Sequence, residues 1–214
     1  MTYQLRISEI FYSLQGESTL VGLPTVFIRL TGCPLRCSYC DTTYAFKGGE
    51  TLSRDQLFEK LSEYNCRTVC VTGGEPLAQK DCQLLLNDLI EQGYRVSLET
   101  SGAIDVCNVN ESVIKVVDLK TPASGEQSRN LMSNLACLNS HDQVKFVICN
   151  QQDYEWAKGQ LLDNKLSDTC EVLFSPVEQD MPAAQLADWI LKDQLNVRMQ
   201  VQLHKILWGG GEGR

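Results

Sequence analysis

Short runs of apolar, β-branched residues alternate along the chain with segments that have helical spacing. These runs predict seven β-strands, and their nearly continuous apolar character is typical of a parallel sheet with covered faces. The predicted strands cover 25–30, 68–72, 95–100, 113–119, 143–148, 171–174 and 197–203.

The segments between these runs predict four amphipathic helices. Ser53 is a candidate N-cap of the first helix, because Gln56 stands at the capping-box position. Gly93 is a natural C-cap for the second helix. The predicted helices cover 53–64, 82–93, 153–162 and 183–194.

Alternating strands and helices favour right-handed βαβ units. A complete eight-stranded α/β barrel usually needs about 250 residues, whereas this chain has 214. The pattern therefore predicts one α/β domain over 1–214, an open or partial barrel with a mostly parallel sheet of six to seven strands. Ligands of such sheets bind at the carboxyl ends of the strands, where this sequence carries its unusual loops.

Composition narrows the range of functions. The 43% hydrophobic content is ordinary for a globular protein, and the net charge of −8 disfavours binding to nucleic acid or to an anionic membrane. No run approaches the roughly 18 consecutive apolar residues of a membrane span. The N-terminal segment lacks the basic start and apolar run of a signal peptide, so we expect a cytoplasmic protein.

The chain contains 10 cysteines, many for a compartment that disfavours stable disulfides. Cys70 lies in an apolar run and is expected to be a small buried residue, and so is Cys149. Cys66 and Cys70 form a CxxxC pair without a third member, so a second cluster is not expected there. The isolated cysteines are interpreted as structural or incidental: Cys82, Cys107, Cys137 and Cys170.

Cys33, Cys37 and Cys40 stand apart from the others, because they follow the strand 25–30 with the spacing CxxxCxxC. A structural zinc site needs four ligands, and the 2 histidines of the chain lie far away in the sequence. An iron–sulfur cubane fits better, since it takes a thiolate at each iron corner. Three thiolates leave one iron open, which indicates catalysis rather than electron storage.

This spacing directly after the first barrel strand resembles the radical S-adenosylmethionine (SAM) enzymes. The resemblance implies a 4Fe-4S cluster whose open iron binds the methionyl group of SAM and whose electron releases a 5′-deoxyadenosyl radical. Gly73, Gly74 and Glu75 follow the next strand, where these enzymes bind SAM. Glycines let backbone groups approach a ligand closely, and Glu75 could offset the SAM amino group.

Six segments between residues 11 and 207 resemble the 7-carboxy-7-deazaguanine synthase family more closely: FYSLQGES, FIRLTGCPLRCSYCDTTYAF, VTGGEP, LETSG, DLKTP and QLHKIL. The resemblance implies ring contraction of 6-carboxy-5,6,7,8-tetrahydropterin to 7-carboxy-7-deazaguanine, with release of ammonia, in queuosine biosynthesis. It also implies SAM as a reusable cofactor, Mg²⁺, a homodimer, and a low-potential reductant such as flavodoxin or ferredoxin. Two alternatives remain open at this point: another radical SAM enzyme, such as a glycyl-radical activase, and a non-catalytic iron–sulfur or zinc module.

The same resemblance assigns site residues. Arg29 suits the substrate carboxylate as a bidentate cation, Gln15 and Glu17 suit the pterin's amide and amino edge, and Thr42 would bind Mg²⁺. The substrate contacts are expected from Leu14, Gln15, Gly16, Glu17, Arg29, Thr100 and His204. The SAM contacts are expected from Tyr39, Cys40, Asp41, Gly73, Gly74, Glu75, Gly102, Asp118, Leu119, Lys120 and Ser175, the last in a stretch that reaches Glu178. His204 and Lys205 are expected to end the last strand, and the role of the glycine-rich tail to Arg214 is left open.

Overall fold

A computed structural model of the protein describes residues 2–177, 180–209 and 213. Within these residues, nine strands form one sheet in the order β3-β1-β2-β4-β5-β6-β7-β8-β9. The strands are β1 (Gln4–Leu14), β2 (Pro24–Leu30), β3 (Glu50–Ser53), β4 (Thr68–Gly73), β5 (Arg95–Thr100), β6 (Ile114–Asp118), β7 (Gln143–Ile148), β8 (Glu171–Pro176) and β9 (Arg198–Met199).

The sheet is mostly parallel and open, which confirms the predicted fold class. Every pairing from β2 through β9 is parallel, whereas β1 pairs antiparallel with both β2 and β3. The predicted number of six to seven strands is wrong, because β1 and β3 were missed. β3 has only 4 residues, and β1 begins with alternating exposed and buried residues, so neither strand carries the continuous apolar run of the parallel strands.

All four predicted helices are present. The helices are α1 (Arg54–Ser62), α2 (Cys82–Glu91), α3 (Gln151–Asp163), α4 (Leu166–Thr169), α5 (Ala183–Asp193) and α6 (Leu203–Trp208). Ser53 and Gln56 form the predicted capping box of α1, and Gly93 follows α2 with a φ of 76°. In the described part of the chain, none of the helices is long and apolar enough to cross a membrane.

Successive side chains along a strand point to opposite faces of the sheet, so they point alternately into the hydrophobic core and into the cavity. Val144, Phe146 and Ile148 of β7 are fully buried in the hydrophobic core, whereas Lys145 and Val147 face the cavity described below. Phe146 also packs edge-on against Phe174 of β8, with ring centroids 5.5 Å apart. Each such buried side chain contributes about 1.5–3 kcal/mol relative to an exposed one, so the core face of the sheet is firmly held.

The last predicted strand, 197–203, is mostly wrong. Only Arg198 and Met199 pair with β8, and the chain then enters α6, which carries His204 and Lys205. The backbone leaves the sheet because its N–H groups find other acceptors: the Leu203 amide donates to Gly16 O at 3.1 Å. The Gln200 side chain likewise exchanges two hydrogen bonds with the Ser18 backbone. These long-range partners draw α6 towards the loop that follows β1.

Two cysteines that were interpreted as isolated are joined by a disulfide bond. Cys107 and Cys137 form a disulfide across 30 residues of sequence, with their Cα atoms 5.1 Å apart, so their interpretation as isolated thiols is wrong. Their pairing could not be deduced from spacing alone. The expected burial of Cys70 and Cys149 is confirmed, and Cys82 and Cys170, interpreted as structural or incidental, are buried free thiols as well.

Candidate active site

A cavity of about 390 Å³ lies at the carboxyl ends of the parallel strands. It gathers nearly all of the predicted site residues, although these come from every third of the sequence. Glu75, Gly102 and Leu119 are the predicted site residues that do not line it. The lining includes Leu14, Gln15, Gly16, Glu17, Arg29, Cys33, Cys37, Tyr39, Cys40, Asp41, Thr42, Gly73, Gly74, Thr100, Asp118, Lys120, Ser175 and His204.

Hydrogen bonds hold the loop that carries the three cysteines at its start and in its middle. The Gly32 amide donates to Ala45 O at 2.8 Å, and the Glu75 amide donates to Gly32 O at 2.8 Å. The Ser38 amide donates to Ser124 O at 3.0 Å, and the Arg36 amide donates to a Glu126 carboxylate oxygen at 2.6 Å. The loop therefore presents its thiols, all partly exposed, from a fixed frame.

The environment of the thiols fits an iron–sulfur cluster. Burial raises the pKa of Cys33 and of Cys37, and the nearby Lys120 ammonium offsets part of that rise for both. The Leu35 amide donates to Cys33 Sγ at 3.4 Å, a contact of the kind that tunes cluster sulfurs. Among the described residues, no group of three Cys, His, Asp or Glu side chains is placed to hold a single metal ion. A cubane does not need such a group, because each thiolate binds a different iron.

Gly73 and Gly74 are required by the backbone that surrounds them. Gly73 has a φ of 148°, and a Cβ at Gly74 would collide with the Gly32 carbonyl and with Cys33. The absence of side chains therefore lets the end of β4 pack directly against the cysteine loop. Both glycines line the cavity as well, so their backbone is available to a ligand there.

Glu75, which follows Gly74, is fully buried. Backbone and side-chain groups of the protein donate hydrogen bonds to both oxygens of its carboxylate. Oε1 accepts the Leu77 N–H at 3.0 Å, and Oε2 accepts the Ser101 N–H at 2.7 Å. The hydroxyl of Thr100 and that of Ser101 donate to the same carboxylate. Glu75 thus joins the loop after β4 to the loop after β5, and its predicted contact with the SAM amino group stays a prediction.

The predicted substrate residue Arg29 reaches the cavity from β2 with its charge already partnered. Its Nε lies 2.6 Å from Glu9 Oε1, and the Tyr44 hydroxyl donates to the same oxygen at 2.7 Å. Burial alone would lower the pKa of Arg29, but Glu9 and Tyr44 more than reverse that effect. The guanidinium also lies 5.7 Å from the Phe11 ring, whose stacking on Phe27 builds an aromatic wall. Glu9 was missed because its strand was not predicted.

Largely buried charges of both signs form another part of the cavity wall. Lys145 Nζ lies 2.7 Å from Glu17 Oε2 and 3.6 Å from Asp118 Oδ2. Lys120 Nζ also pairs with Asp118, at 3.0 Å. Lys145 was missed, although a lysine inside the apolar run QVKFVI was a usable signal, because such a charge must be paired. Glu99 was missed too: it accepts hydrogen bonds from Gln15 and Thr72.

Asp41, Thr42 and α6 form the side of the cavity beside the cysteine loop. The Thr42 hydroxyl donates to Asp41 Oδ1 at 2.9 Å, and Lys205 Nζ lies 3.3 Å from Asp41 Oδ2. Burial would raise the pKa of Asp41, but Lys205 and Thr42 hold it below its usual value. His204 packs so closely on Gly16 that any side chain at residue 16 would collide with its imidazole.

Among the described residues, three buried polar atoms in the cavity wall lack a hydrogen-bond partner. These atoms are the Tyr39 hydroxyl oxygen in the cysteine loop, and Asp118 Oδ1 and Ser175 Oγ at the ends of β6 and β8. Buried polar atoms are rarely left unsatisfied, so all three suit a ligand with hydrogen-bonding groups. The predicted continuation of the Ser175 stretch to Glu178 and the end of the tail at Arg214 lie outside the described residues.

Known proteins resemble the chain over nearly its whole length. The profile of the Radical SAM superfamily matches residues 27–117. The 7-carboxy-7-deazaguanine synthase of Koribacter versatilis (strain Ellin345) is 41% identical, over 95% of this chain and 97% of its own length. The protein of the same name from Chlorobaculum tepidum is 41% identical over 95% and 94%. A crystal structure of QueE from Escherichia coli superimposes with a TM-score of 0.79 at 25% identity, covering 94% of this chain and 95% of that one.

Proposed function

The chain belongs to the 7-carboxy-7-deazaguanine synthase family, and from that premise we propose that it converts 6-carboxy-5,6,7,8-tetrahydropterin to 7-carboxy-7-deazaguanine and ammonia. The observation that carries the proposal is one cavity that is lined by three thiols, a paired arginine and a paired glutamate. Substrate and product differ by ammonia alone, so the reaction is redox-neutral overall. This balance fits SAM acting as a reusable cofactor.

The pterin would bind in the cavity, between the aromatic wall of Phe11 and Phe27 and the charged groups around Glu17. Arg29 suits the substrate carboxylate, because a guanidinium can donate two parallel hydrogen bonds to it while Glu9 keeps the side chain in place. Glu17 and Gln15 also line the cavity and would receive the donors of the pterin's amide and amino edge. Phe11 and Phe27 offer a flat apolar surface to the ring.

The cysteine loop would hold the 4Fe-4S cluster through Cys33, Cys37 and Cys40. When bound, the cluster supplies the electron that cleaves SAM and starts the radical chemistry. The chain's own part is to bind SAM beside it: Gly73 and Gly74 provide an accessible backbone, and Asp118 Oδ1 offers an unused acceptor to a ribose hydroxyl or an ammonium group.

Mg²⁺ would bind next to the cysteine loop through the Thr42 hydroxyl. This ion prefers oxygen ligands and retains several waters, so one threonine together with substrate oxygens is sufficient. Asp41 lies close enough to hydrogen-bond the same hydroxyl and would orient it. We further propose a cytoplasmic homodimer that serves queuosine biosynthesis and is reduced by a flavodoxin or a ferredoxin.

An anaerobic assay tests the proposal. The reconstituted protein would receive carboxytetrahydropterin, SAM, Mg²⁺ and a reductant, and the products would be separated by chromatography. We expect 7-carboxy-7-deazaguanine from the wild type and none from Cys37→Ala, which should also lose most of its iron. Cys66→Ala is the matched control, because Cys66 lies outside the cavity, and it should keep both iron and activity. A wild type with an intact cluster that leaves the pterin unchanged would refute the proposal.

A further inference from the structure

Glu17 owes its orientation to two side chains that were assigned no role from the sequence, although one of them, Gln202, begins the segment QLHKIL. Lys145 Nζ donates to its Oε2 at 2.7 Å, and the Gln202 amide donates to its Oε1. The two donors come from β7 and from the segment before α6, which are far apart in the sequence. Each carboxylate oxygen therefore has one fixed protein donor and retains accepting capacity for a ligand.

The sheet fixes the direction in which the Lys145 side chain points. It lies in the middle of β7, where its neighbours Val144 and Phe146 point into the core and its own side chain points into the cavity. The register pairs it with Asp118 of β6, whose carboxylate is already bound to Lys120 at 3.0 Å. Lys145 therefore keeps only the longer contact with Asp118, at 3.6 Å, and makes its shorter contact with Glu17, at 2.7 Å.

We propose that Lys145 is a positioning residue for Glu17: its ammonium keeps the carboxylate ionised and aimed at the N–H groups of the pterin ring. The inference rests on the proposed function for the identity of the ligand, whereas the contact between Lys145 and Glu17 does not depend on it. An ionised carboxylate only accepts hydrogen bonds, but a protonated one would present a donor to the donors of the ring.

The charges around Glu17 support this role. Burial alone would raise the pKa of Glu17, but Lys145 and Gln202 hold it below its usual value. Burial would likewise lower the pKa of Lys145, and Glu17, Asp118 and Glu99 reverse that effect.

Other polar and charged groups also lie near Glu17. Asp41, in the cysteine loop, opposes the ionisation of Glu17, but Lys205 forms an ion pair with Asp41. The His204 imidazole packs on Gly16, the residue before Glu17. Lys145 is the cation that contacts Glu17 directly within the described residues.

Removing the charge of Lys145 should therefore change how substrate binding depends on pH. In Lys145→Met, Glu17 becomes a buried carboxyl with an elevated pKa, so it is protonated near neutral pH and loses its proton only as the pH rises. We expect the KM for the pterin to increase about ten- to a hundred-fold near neutral pH and to recover towards the wild-type value at higher pH. Lys145→Arg, which keeps the charge, should restore most of the affinity.

The measurement compares pH profiles of the KM for the wild type, Lys145→Met and Lys145→Arg, with Lys192→Met as control. Lys192 is exposed in the last turn of α5 and should leave the profile unchanged. A purely structural role would lower activity equally at every pH and would not be rescued by a higher pH. A folded Lys145→Met enzyme with the wild-type profile would overturn the inference.

A second readout needs no substrate. Infrared difference spectra of the cluster-loaded protein should show a carboxylic acid C=O band in Lys145→Met near neutral pH that is absent from the wild type and is abolished by adding Glu17→Gln. The lack of such a band would overturn the inference, and Lys145→Gln carries the same two tests if the methionine variant does not fold. A band in a protein whose wild type makes no deazaguanine would refute the proposed function instead, so the two failures are distinguishable.

Discussion

Replacing Glu75 with glutamine tests how the site is held together. The substitution keeps the size of the side chain but exchanges one accepting oxygen for an NH₂ group. In the protein, each Glu75 oxygen accepts one backbone N–H, from Leu77 at 3.0 Å and from Ser101 at 2.7 Å. The amide can satisfy one of these donors, and its NH₂ group must then face the other.

The expected loss follows from that geometry. One charge-assisted hydrogen bond in a fully buried position disappears and a backbone N–H is left without an acceptor, which costs about 1.5–3 kcal/mol. For a chain of 214 residues, each kcal/mol lowers the melting temperature by about 2–4 °C, so Glu75→Gln should melt about 3–12 °C below the wild type. SAM binding should weaken as well, because the loop after β5, which carries the expected SAM contact Gly102, loses part of its anchor at Ser101.

Thermal unfolding of the anaerobic protein, followed by circular dichroism, measures the first effect, and equilibrium dialysis of SAM measures the second. Glu91→Gln is the matched control, because Glu91 is exposed at the end of α2. If Glu75→Gln melts within the roughly 1–2 °C expected of a neutral surface substitution, the carboxylate does not hold the two loops. Weaker SAM binding without any loss of stability would instead favour a direct contact between Glu75 and SAM.

Three further outcomes are expected. Arg29→Ala should raise the KM for the pterin about ten- to a hundred-fold while slow 5′-deoxyadenosine formation persists, and an unchanged KM would remove Arg29 from the substrate site. Thr42→Ala should weaken activation by Mg²⁺ more than it weakens SAM binding, whereas an unaltered Mg²⁺ titration would speak against its role as a ligand. Cys107→Ser opens a loop of 30 residues and should lower the stability by about 3–4 kcal/mol. Urea unfolding of that variant beside the oxidised wild type measures the difference, and equal midpoints would show that the disulfide does not stabilise the fold.

The strands that the sequence identified best are largely buried ones. β5 and β7 were predicted with the observed bounds, because each is a short, mostly apolar run that contains β-branched residues. β1 and β3 escaped notice because strands with exposed residues lack that signal. The turn from β9 into α6 depends on acceptors near Gly16 and Ser18, almost the whole chain away, so local pattern could not reveal it.

The residues of the site were also predicted only in part. Most residues that line the cavity belong to sequence motifs, since the cysteines and glycines have fixed spacings after their strands. The partners Glu9 and Lys145 belong to no motif and are defined by pairings across the sheet. Glu99 lies in the LETSG segment, but the sequence did not indicate its hydrogen bonds to Gln15 and Thr72. The positions of Glu9 and Lys145 follow from the register of β1, β6 and β7, which only the fold supplies.

Turnover with limiting SAM tests the central claim most directly. The reconstituted wild type would be incubated anaerobically with excess carboxytetrahydropterin, Mg²⁺ and reductant, and 7-carboxy-7-deazaguanine, ammonia and 5′-deoxyadenosine would be quantified together. The proposed synthase should form deazaguanine and ammonia in equal amounts, with more than one product molecule for each SAM supplied. Accumulation of 5′-deoxyadenosine in step with SAM consumption, without deazaguanine, would contradict the assignment and leave a radical SAM enzyme with another substrate.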